Sequence, residues 1–439
     1  MNKLLEVVEY DTITCNSDYI NDRNYKYLDE KIFQNLINFI HEFTTDSDDS
    51  DVLNYMRISY KRNVGEIVVA KNYVGIIQME NGFQIQILPK ISFSDNEDLQ
   101  NRETKKIFLK MLRSMKDLPF KSFSNSNLKI DNMNLYEIFI NMYLQETRKL
   151  IKKGLKSSYV QQEDNLHYYK GKLQVSKHIK SNVVHKEKFF VSYDEFYPNC
   201  AENKLIKSTL LKLKNITNSA ENSKEIRQLL CAFEMVEPSI NYKKDFSNVV
   251  INRNNKDYEI LIVWSKVFLL NKSFTTFSGG KNTSRALLFP MEKVFESYVA
   301  QQIKKILQQD EWEVSIQDRG YYLFDEPRKK FAIKPDIVCR KNNRTVIMDT
   351  KWKRLINDES KNYGISQSDM YQMYAYSKKY NSSEIWLLYP LNDKMIEKSK
   401  IKFSSDDGTI VNIYFVDVAN IENSLFDLKN RLEENNQLQ

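Results

Sequence analysis

Hydrophobic positions along this chain follow two periods, and the period changes with position. In YLDEKIFQNLINFIHEF, at 27–43, Leu28, Ile32, Leu36, Ile37 and Ile40 recur near helical spacing and predict a helix. The pattern then turns to strands in GEIVVAKNYVGIIQMENGFQIQILPKI, where Asn81-Gly82 between two β-rich runs is a hairpin signal. Within FQIQI, Phe83, Ile85 and Ile87 alternate with Gln84 and Gln86, which predicts one buried face and one polar face. The acidic run DSDDSD, at 46–51, reads as a solvated loop. Helical spacing returns in Ile107, Phe108, Met111, Leu112 and Met115, and again in Leu135, Ile138, Phe139 and Met142, a helix that Gly154 is placed to end. A further helix is expected over NKLIKSTLLKLKNI, with Leu205, Leu210 and Leu213 in the core. A long helix follows from Pro290 to about Gln309, with Met291, Phe295, Tyr298, Val299, Ile303 and Ile306 on its apolar side. Strands are expected at WEVSI, YYLFD, IKPDIVC, TVIMDTKW and EIWLLYP, with a helix, SQSDMYQMYAYSKKY, between the last two.

These elements predict a multidomain α+β protein. Its blocks are a β-rich N-terminal domain at 1–95, a mainly helical middle domain at 96–280 and a C-terminal α/β domain at 281–439. The length of 439 residues fits two or three cores, and 41% hydrophobic residues excludes a disordered chain. A net charge of +7, from 65 cations against 58 anions, permits an acidic polymer as partner without demonstrating one. The opening MNKLLEVVEYDT carries acids where a signal peptide has an apolar core, and no apolar run approaches the ~18 residues of a membrane span. A cytoplasmic protein with no membrane contact is expected. Cys15, Cys200, Cys231 and Cys339 are far apart and form no CxxC pair, so zinc and iron-sulfur sites are not expected. His41, His167, His178 and His185 form no HExxH, with His178 and His185 expected in loop or strand, and no GxSxG hydrolase elbow is present.

The chemistry concentrates in KPDIVCRKNNRTVIMDTKWK, at 334–353. Read as a strand, TVIMDTKWK points Asp349, Lys351 and Lys353 to one face and Met348, Thr350 and Trp352 to the other. The polar RKNNR allows a hairpin that brings Asp336 to Asp349. Two adjacent carboxylates repel, and a divalent ion removes the conflict. Few, hard oxygen ligands suit Mg²⁺ or Mn²⁺ with substrate phosphate and water completing the shell. Lys351 beside them would orient or help deprotonate a water and offset charge on the phosphate. The residues thus propose metal-assisted hydrolysis of a phosphodiester, against the plainer reading of a surface Asp-Lys pair.

Pro335-Asp336 followed by Asp349-Thr350-Lys351 resembles the PD-(D/E)xK nuclease motif, and Gln372-Met373-Tyr374-Ala375-Tyr376 resembles the QxxxY element of its RecB-like branch. This resemblance implies a restriction-endonuclease-like C-terminal domain, a Mg²⁺-dependent (or Mn²⁺-dependent) endodeoxyribonuclease. Asp336, Asp349 and Lys351 would be catalytic, and Gln372 and Tyr376, with Lys353, would contact DNA or support the site. PMEKVFESYV is similar to the first helix of that core, which often supplies a metal-binding glutamate. Glu296 is the implied residue, joining Asp336 and Asp349 as metal ligands, with Glu292 as the fallback.

Several stretches are similar to McrC, the nuclease subunit of McrBC-type 5-methylcytosine restriction systems: VGIIQMENGFQIQILPKI, YKGKLQVSKHIKSN, ENKLIK and the nuclease block itself, in that order. The resemblance implies DNA as substrate and a hexameric AAA+ GTPase, McrB, as the partner whose GTP hydrolysis the chain stimulates. It also implies pairing of two copies for a double-strand cut. The absence of GxxxxGK[ST] agrees, since the GGKN near Gly279 has the wrong spacing and the motor must be another chain. The basic KKGLK, at 152–156, and the YKGK turn are candidates for contacting that ring, against the plainer reading of solvated surface. A stand-alone RecB-like nuclease and a non-catalytic adaptor for an AAA+ ring are the alternatives. The intact Asp336, Asp349 and Lys351 speak against the adaptor.

Overall fold

A computed structural model describes residues 4–45, 55–79, 82–91, 97–115, 133–270, 285–395 and 401–437. The DSDDSD run and the GGKN stretch lie outside them. The chain divides into two compact units, one of residues 1–131 with 287–439 and one of residues 132–286. The blocks expected at 1–95 and 281–439 therefore lie in one unit.

The first unit begins with β1 (Leu4–Val8), β2 (Thr12–Thr14), β3 (Tyr25–Tyr27), α1 (Glu30–Thr45), β4 (Met56–Lys61), β5 (Gly65–Ala70), β6 (Tyr73–Gln78), β7 (Gln84–Leu88) and α2 (Glu97–Leu112). Leu28, Leu36, Ile37 and Ile40 are buried as their spacing predicted. Strands β6 and β7 pair antiparallel, as the Asn81-Gly82 signal predicted, and Gly82 adopts a left-handed φ of 78°. One expectation fails here. All five residues of β7 are buried, Gln84 and Gln86 included. Helix α2 packs on this strand. Gln86 Nε2 and Lys105 Nζ both donate to Glu6 Oε1, at 2.7 and 2.6 Å, so the glutamine is paired within the protein rather than hydrated.

The second unit holds α3 (Leu135–Lys153), β8 (Ser158–Leu166), β9 (Lys172–Leu173), α4 (Val175–Ser181), β10 (Phe189–Tyr197), α5 (Ala201–Lys214), α6 (Ala220–Cys231), α7 (Tyr242–Asn248) and α8 (Asp257–Leu270). It is less purely helical than its pattern suggested, because β8, β10 and β9 form an antiparallel sheet. His178 lies on α4 rather than in a loop or strand, and stacks on Phe189. The helices close over Trp264, Phe139 and Phe268. Buried Glu137 accepts hydrogen bonds from Thr217 Oγ1, Asn218 N and Asn222 Nδ2. Gly154 ends α3 at φ 96°.

The chain re-enters the first unit through β11 (Arg285–Pro290) and α9 (Met291–Leu307). It continues with β12 (Glu313–Ile316), β13 (Tyr321–Phe324), β14 (Lys330–Ile333), β15 (Ile337–Lys341), β16 (Arg344–Thr350), α10 (Gln367–Tyr380), β17 (Glu384–Pro390), β18 (Ile401–Ser404), β19 (Ile410–Val416) and α11 (Ile421–Gln437). IKPDIVC is not one strand: it divides at Lys334–Asp336 between β14 and β15. β12, β15, β16, β17, β19 and β18 form one sheet in that order. β15 and β16 are an antiparallel hairpin, while β16, β17 and β19 run parallel, with α10 as the crossover. Met373, Tyr376 and Tyr380 of α10 pack on Val338, Ile347, Ile385 and Leu387. α9 packs on β12 and β16, and α11 on β19. Tyr414, on the face of β19 away from α10, donates to Asp427 of α11, so the sheet is covered on both sides.

β1, β7, β6 and β11 form a further sheet of this unit. Gly75 in β6 is required there, because a Cβ would lie 1.9 Å from the Leu287 carbonyl oxygen. Glu9, just after β1, ties this sheet to the chain beyond β16. It is fully buried, accepts from Trp352 Nε1 with both carboxylate oxygens, at 3.1 and 3.0 Å, and accepts from Lys90 N at 3.0 Å. Burial pushes its carboxyl up to about 7, against those hydrogen bonds.

Gly75→Ala is expected to cost about 3 kcal/mol or more, read by thermal melting. Gly82→Ala, also left-handed but facing open space, should cost only about 1–2 kcal/mol. The unfolded chain loses the Glu9 proton in the ordinary carboxylate range and the folded chain holds it to about 7. Its stabilising contribution is thus complete at low pH and falls across the window between. Glu9→Gln should flatten the decline of melting temperature between pH 5 and 7, and an unchanged slope would show that Glu9 is ionised throughout.

Candidate active site

The two-residue turn at Asn342 and Asn343, with Asn342 at φ 53°, closes the β15–β16 hairpin. Its register pairs Ile337 with Met348, so Asp336 follows one step beyond, level with Asp349. Asp336 Oδ2 accepts from Thr350 N and Thr350 Oγ1, both at 2.7 Å. The strand alternation had placed Thr350 on the far side. β16 ends at Thr350, and there its N–H and short hydroxyl reach Asp336.

Asp349 is 2% exposed. Lys351 Nζ stands 2.7 Å from Asp349 Oδ2 and 3.9 Å from Asp369 Oδ1. Lys351 continues the ladder past the strand end, donating its N–H to Leu388 O at 2.9 Å. Its ammonium donates to Gln372 Oε1 at 3.0 Å, Gln372 Nε2 donates to Tyr376 Oη at 2.6 Å, and Tyr376 Oη donates to Lys334 O at 3.2 Å. The QxxxY pair of α10 thus links Lys351 to the segment carrying Asp336. Ser366 caps α10 by accepting from Asp369 N, which fixes where that helix begins.

Glu296 comes from α9 and accepts from Gln317 Nε2 at 2.7 Å. Glu292, one turn earlier, accepts from Asn72 Nδ2 at 3.1 Å. Trp352, beyond Lys351, is buried against Phe295 and Glu9. One pocket of about 590 Å³ gathers Glu292, Glu296, Asp336, Asp349, Lys351, Lys353 and Gln372. Tyr376 stands behind Gln372, outside the pocket's lining. Tyr10, Lys334, Thr350, Ser366 and Asp369 also line it, and no residue-spacing signal had singled these out.

The electrostatics follow from burial. Asp349 is pushed up to about 7 by burial and then by the charges of Asp336 and Glu296, against the pull of Lys351. Burial also raises Asp336, against its bonds from Thr350. Glu296 is raised by burial and by Asp336. For Lys351 burial acts downward, but Asp349, Asp369 and Asp336 outweigh it and hold the ammonium charged. Among the described residues no group of three or more acid, His or Cys side chains is arranged to hold a metal ion. Five carboxylates line the pocket, those of Glu292, Glu296, Asp336, Asp349 and Asp369, all hard oxygen donors.

A family model described as McrBC 5-methylcytosine restriction system component matches residues 68–390. No curated protein sequence matches. Among solved structures, the chain is similar to one from the refined half-complex of a tetradecameric assembly of Thermococcus gammatolerans McrB AAA+ hexamers with bound McrC. The TM-score is 0.70 at 20% identity, covering 97% of this chain and 100% of that one. A chain of the Thermococcus gammatolerans McrBC complex matches at a TM-score of 0.47 and 21% identity, covering 70% of this chain and 88% of that one. The matched span holds both the Gln84–Leu88 hairpin strand and the Asp336–Lys351 pocket, and the chain belongs to the family of McrBC 5-methylcytosine restriction system components.

Proposed function

We propose that the chain is the McrC-type nuclease of a modification-dependent restriction system, with a PD-(D/E)xK catalytic domain that hydrolyses DNA phosphodiester bonds. The observation that carries this reading is the convergence of Asp336, Asp349 and Lys351 at the end of one hairpin, with Glu296 lining the same pocket. Burial raises all three carboxyls, and the Asp336 charge adds to the rise at Asp349 and Glu296, a conflict that a bound cation would relieve. The all-oxygen donors fit Mg²⁺ or Mn²⁺, held by Asp336, Asp349 and Glu296. Such an ion, when bound, supplies charge against the phosphate and acidifies water.

The chain's own residues do the rest. Lys351 presents a charged ammonium beside Asp349, where it orients the attacking water and offsets negative charge growing on the phosphate. Gln372 fixes that ammonium from α10 and is itself fixed by Tyr376, so the pair positions rather than reacts. Lys353 lines the pocket mouth as a contact for DNA phosphate. The AAA+ assembly named for the structural neighbour supports a GTPase motor as partner, which this chain activates and which in turn licenses cutting. Two copies must meet for a double-strand cut.

The test is plasmid cleavage with Mg²⁺ or Mn²⁺, with and without the AAA+ partner and GTP. Wild type should cut only with the motor, and Lys351→Ala should lower the rate by about 100-fold or more. Cutting without a motor would instead favour a stand-alone nuclease. A wild type that never cuts but raises the motor's GTP hydrolysis would leave the adaptor. Gln372→Ala should lower kcat by about 10- to 100-fold with KM for DNA little changed. Gln372→Glu keeps an acceptor for Lys351 and should recover part of that loss.

A further inference from the structure

The β13–β14 hairpin does nothing yet described. Among the described strands its two pair only with each other, and all but Tyr322 and Ile333 are exposed. A two-stranded ribbon in water is marginal on its own. This one is held by α10 at both ends: Tyr321, at its base, packs on Tyr380 with ring centroids 4.4 Å apart, and Asp325, where its loop begins, pairs with Lys379 at 3.1 Å. Its aromatic rings nevertheless face solvent. Phe331 is 70% exposed and Phe324 56%, set edge to face at 6.0 Å.

Phe331 also adopts φ 58°, a left-handed conformation that is strained for a bulky residue and has no burial to offset it. The loop and second strand carry Arg328, Lys329 and Lys330, with Lys334 just beyond, against Asp325 and Glu326 in the same stretch of sequence. Lys329 lies over the Tyr322 ring. The chain then runs straight from β14 into the site, where Lys334 and Asp336 line the pocket. Phe331 and Asp336 are five positions apart, a reach of at most about 18 Å, or roughly five base steps of DNA.

Resting on the nuclease reading above, we propose that this hairpin binds unpaired nucleobases beside the scissile phosphate, with Phe331 and Phe324 as stacking surfaces and Arg328, Lys329 and Lys330 on the flanking phosphates. Exposed ring faces are available to bases only where these are unstacked, at a frayed, mismatched or single-stranded position. The surrounding cations favour a polyanion over an apolar protein surface. The hairpin is continuous with a pocket built for phosphate, and this places the same polymer on both.

The test uses the full chain in a chelator, so that nothing is cut, and fluorescence anisotropy with two oligonucleotides, a duplex with a short unpaired bubble and the same duplex fully paired. Wild type should prefer the bubble. Phe331→Ala and Phe324→Ala should each weaken bubble binding by about tenfold and leave paired duplex nearly unchanged. Arg328→Ala with Lys330→Ala should weaken both and reduce the salt dependence. Phe331→Gly removes the ring and the backbone strain together, so it should melt at or above wild type yet lose the same bubble affinity, separating binding from folding. Wild-type bubble affinity in the phenylalanine variants, with DNA still bound, would overturn the hairpin proposal alone. A chain that binds neither oligonucleotide would overturn the hairpin proposal, while the nuclease reading stands or falls by the plasmid assay with the motor. Unchanged DNA binding with altered sedimentation would make the hairpin a protein-protein surface and also overturn it.

Discussion

Asp349 lies on a strand whose sheet has helices on both faces, and a lone carboxylate in such a place would keep its proton. The neighbouring features all bear on that charge. Lys351, two residues on, meets it directly; Gln372 and Asp369 keep Lys351 there; and Asp336, which adds to the repulsion, is itself held by two donors from Thr350. The arrangement over-supplies negative charge for one ammonium. Protonation of the acids or arrival of a cation are the two ways to balance it.

The sheet topology explains why the site forms at this point and no other. β15 and β16 are antiparallel, but β16 then joins a parallel run through α10. The strand end therefore meets a hairpin partner on one side and the first turns of a crossover helix on the other. Asp336 arrives by the hairpin, Gln372 by the crossover, and Glu296 by the helix packed on β16. A two-residue turn, a parallel crossover and a helix cap at Ser366 bring together Asp336 and Gln372, thirty-six positions apart, and packing of α9 on β16 adds Glu296.

The part of this that could be read from sequence is the part governed by short range. Strand period places Asp349 beside Lys351, the RKNNR turn sets Asp336 opposite, and helical spacing places Gln372 one turn from Tyr376. Thr350 escaped because alternation describes where a side chain points, not where a backbone N–H and a short hydroxyl reach once a strand has ended. Gln84 and Gln86 misled for a related reason: alternating polar residues mean a wet face only if nothing polar is brought to cover them, and α2 and Glu6 do so from outside the strand. Glu9 was invisible, since its partner Trp352 is 343 residues away and only the folded unit joins them. The strands β18 and β19 and helix α11 were legible in principle. IVNIYFV is a continuous β-branched and aromatic run of the kind a parallel strand shows, although it lacks the alternation that draws attention.

At 20% identity the shared fold says how the chain is built and leaves its chemistry to its own residues. The same fold with Asp349 or Lys351 replaced would still pack, because Met348, Ile347 and Leu387 carry the sheet, and it would then be a scaffold only. The intact acids are therefore more than structural residue: a buried ion pair adds little stability over an apolar pair of similar size, and removing one member strands the other. A sheet this well covered has no packing reason to keep the raised carboxyl of Asp349 near the end of a central strand, with Asp336 and Lys351 beside it. They lie in one pocket, which the chain enters from the exposed aromatic and basic β13–β14 hairpin through Lys334 and Asp336.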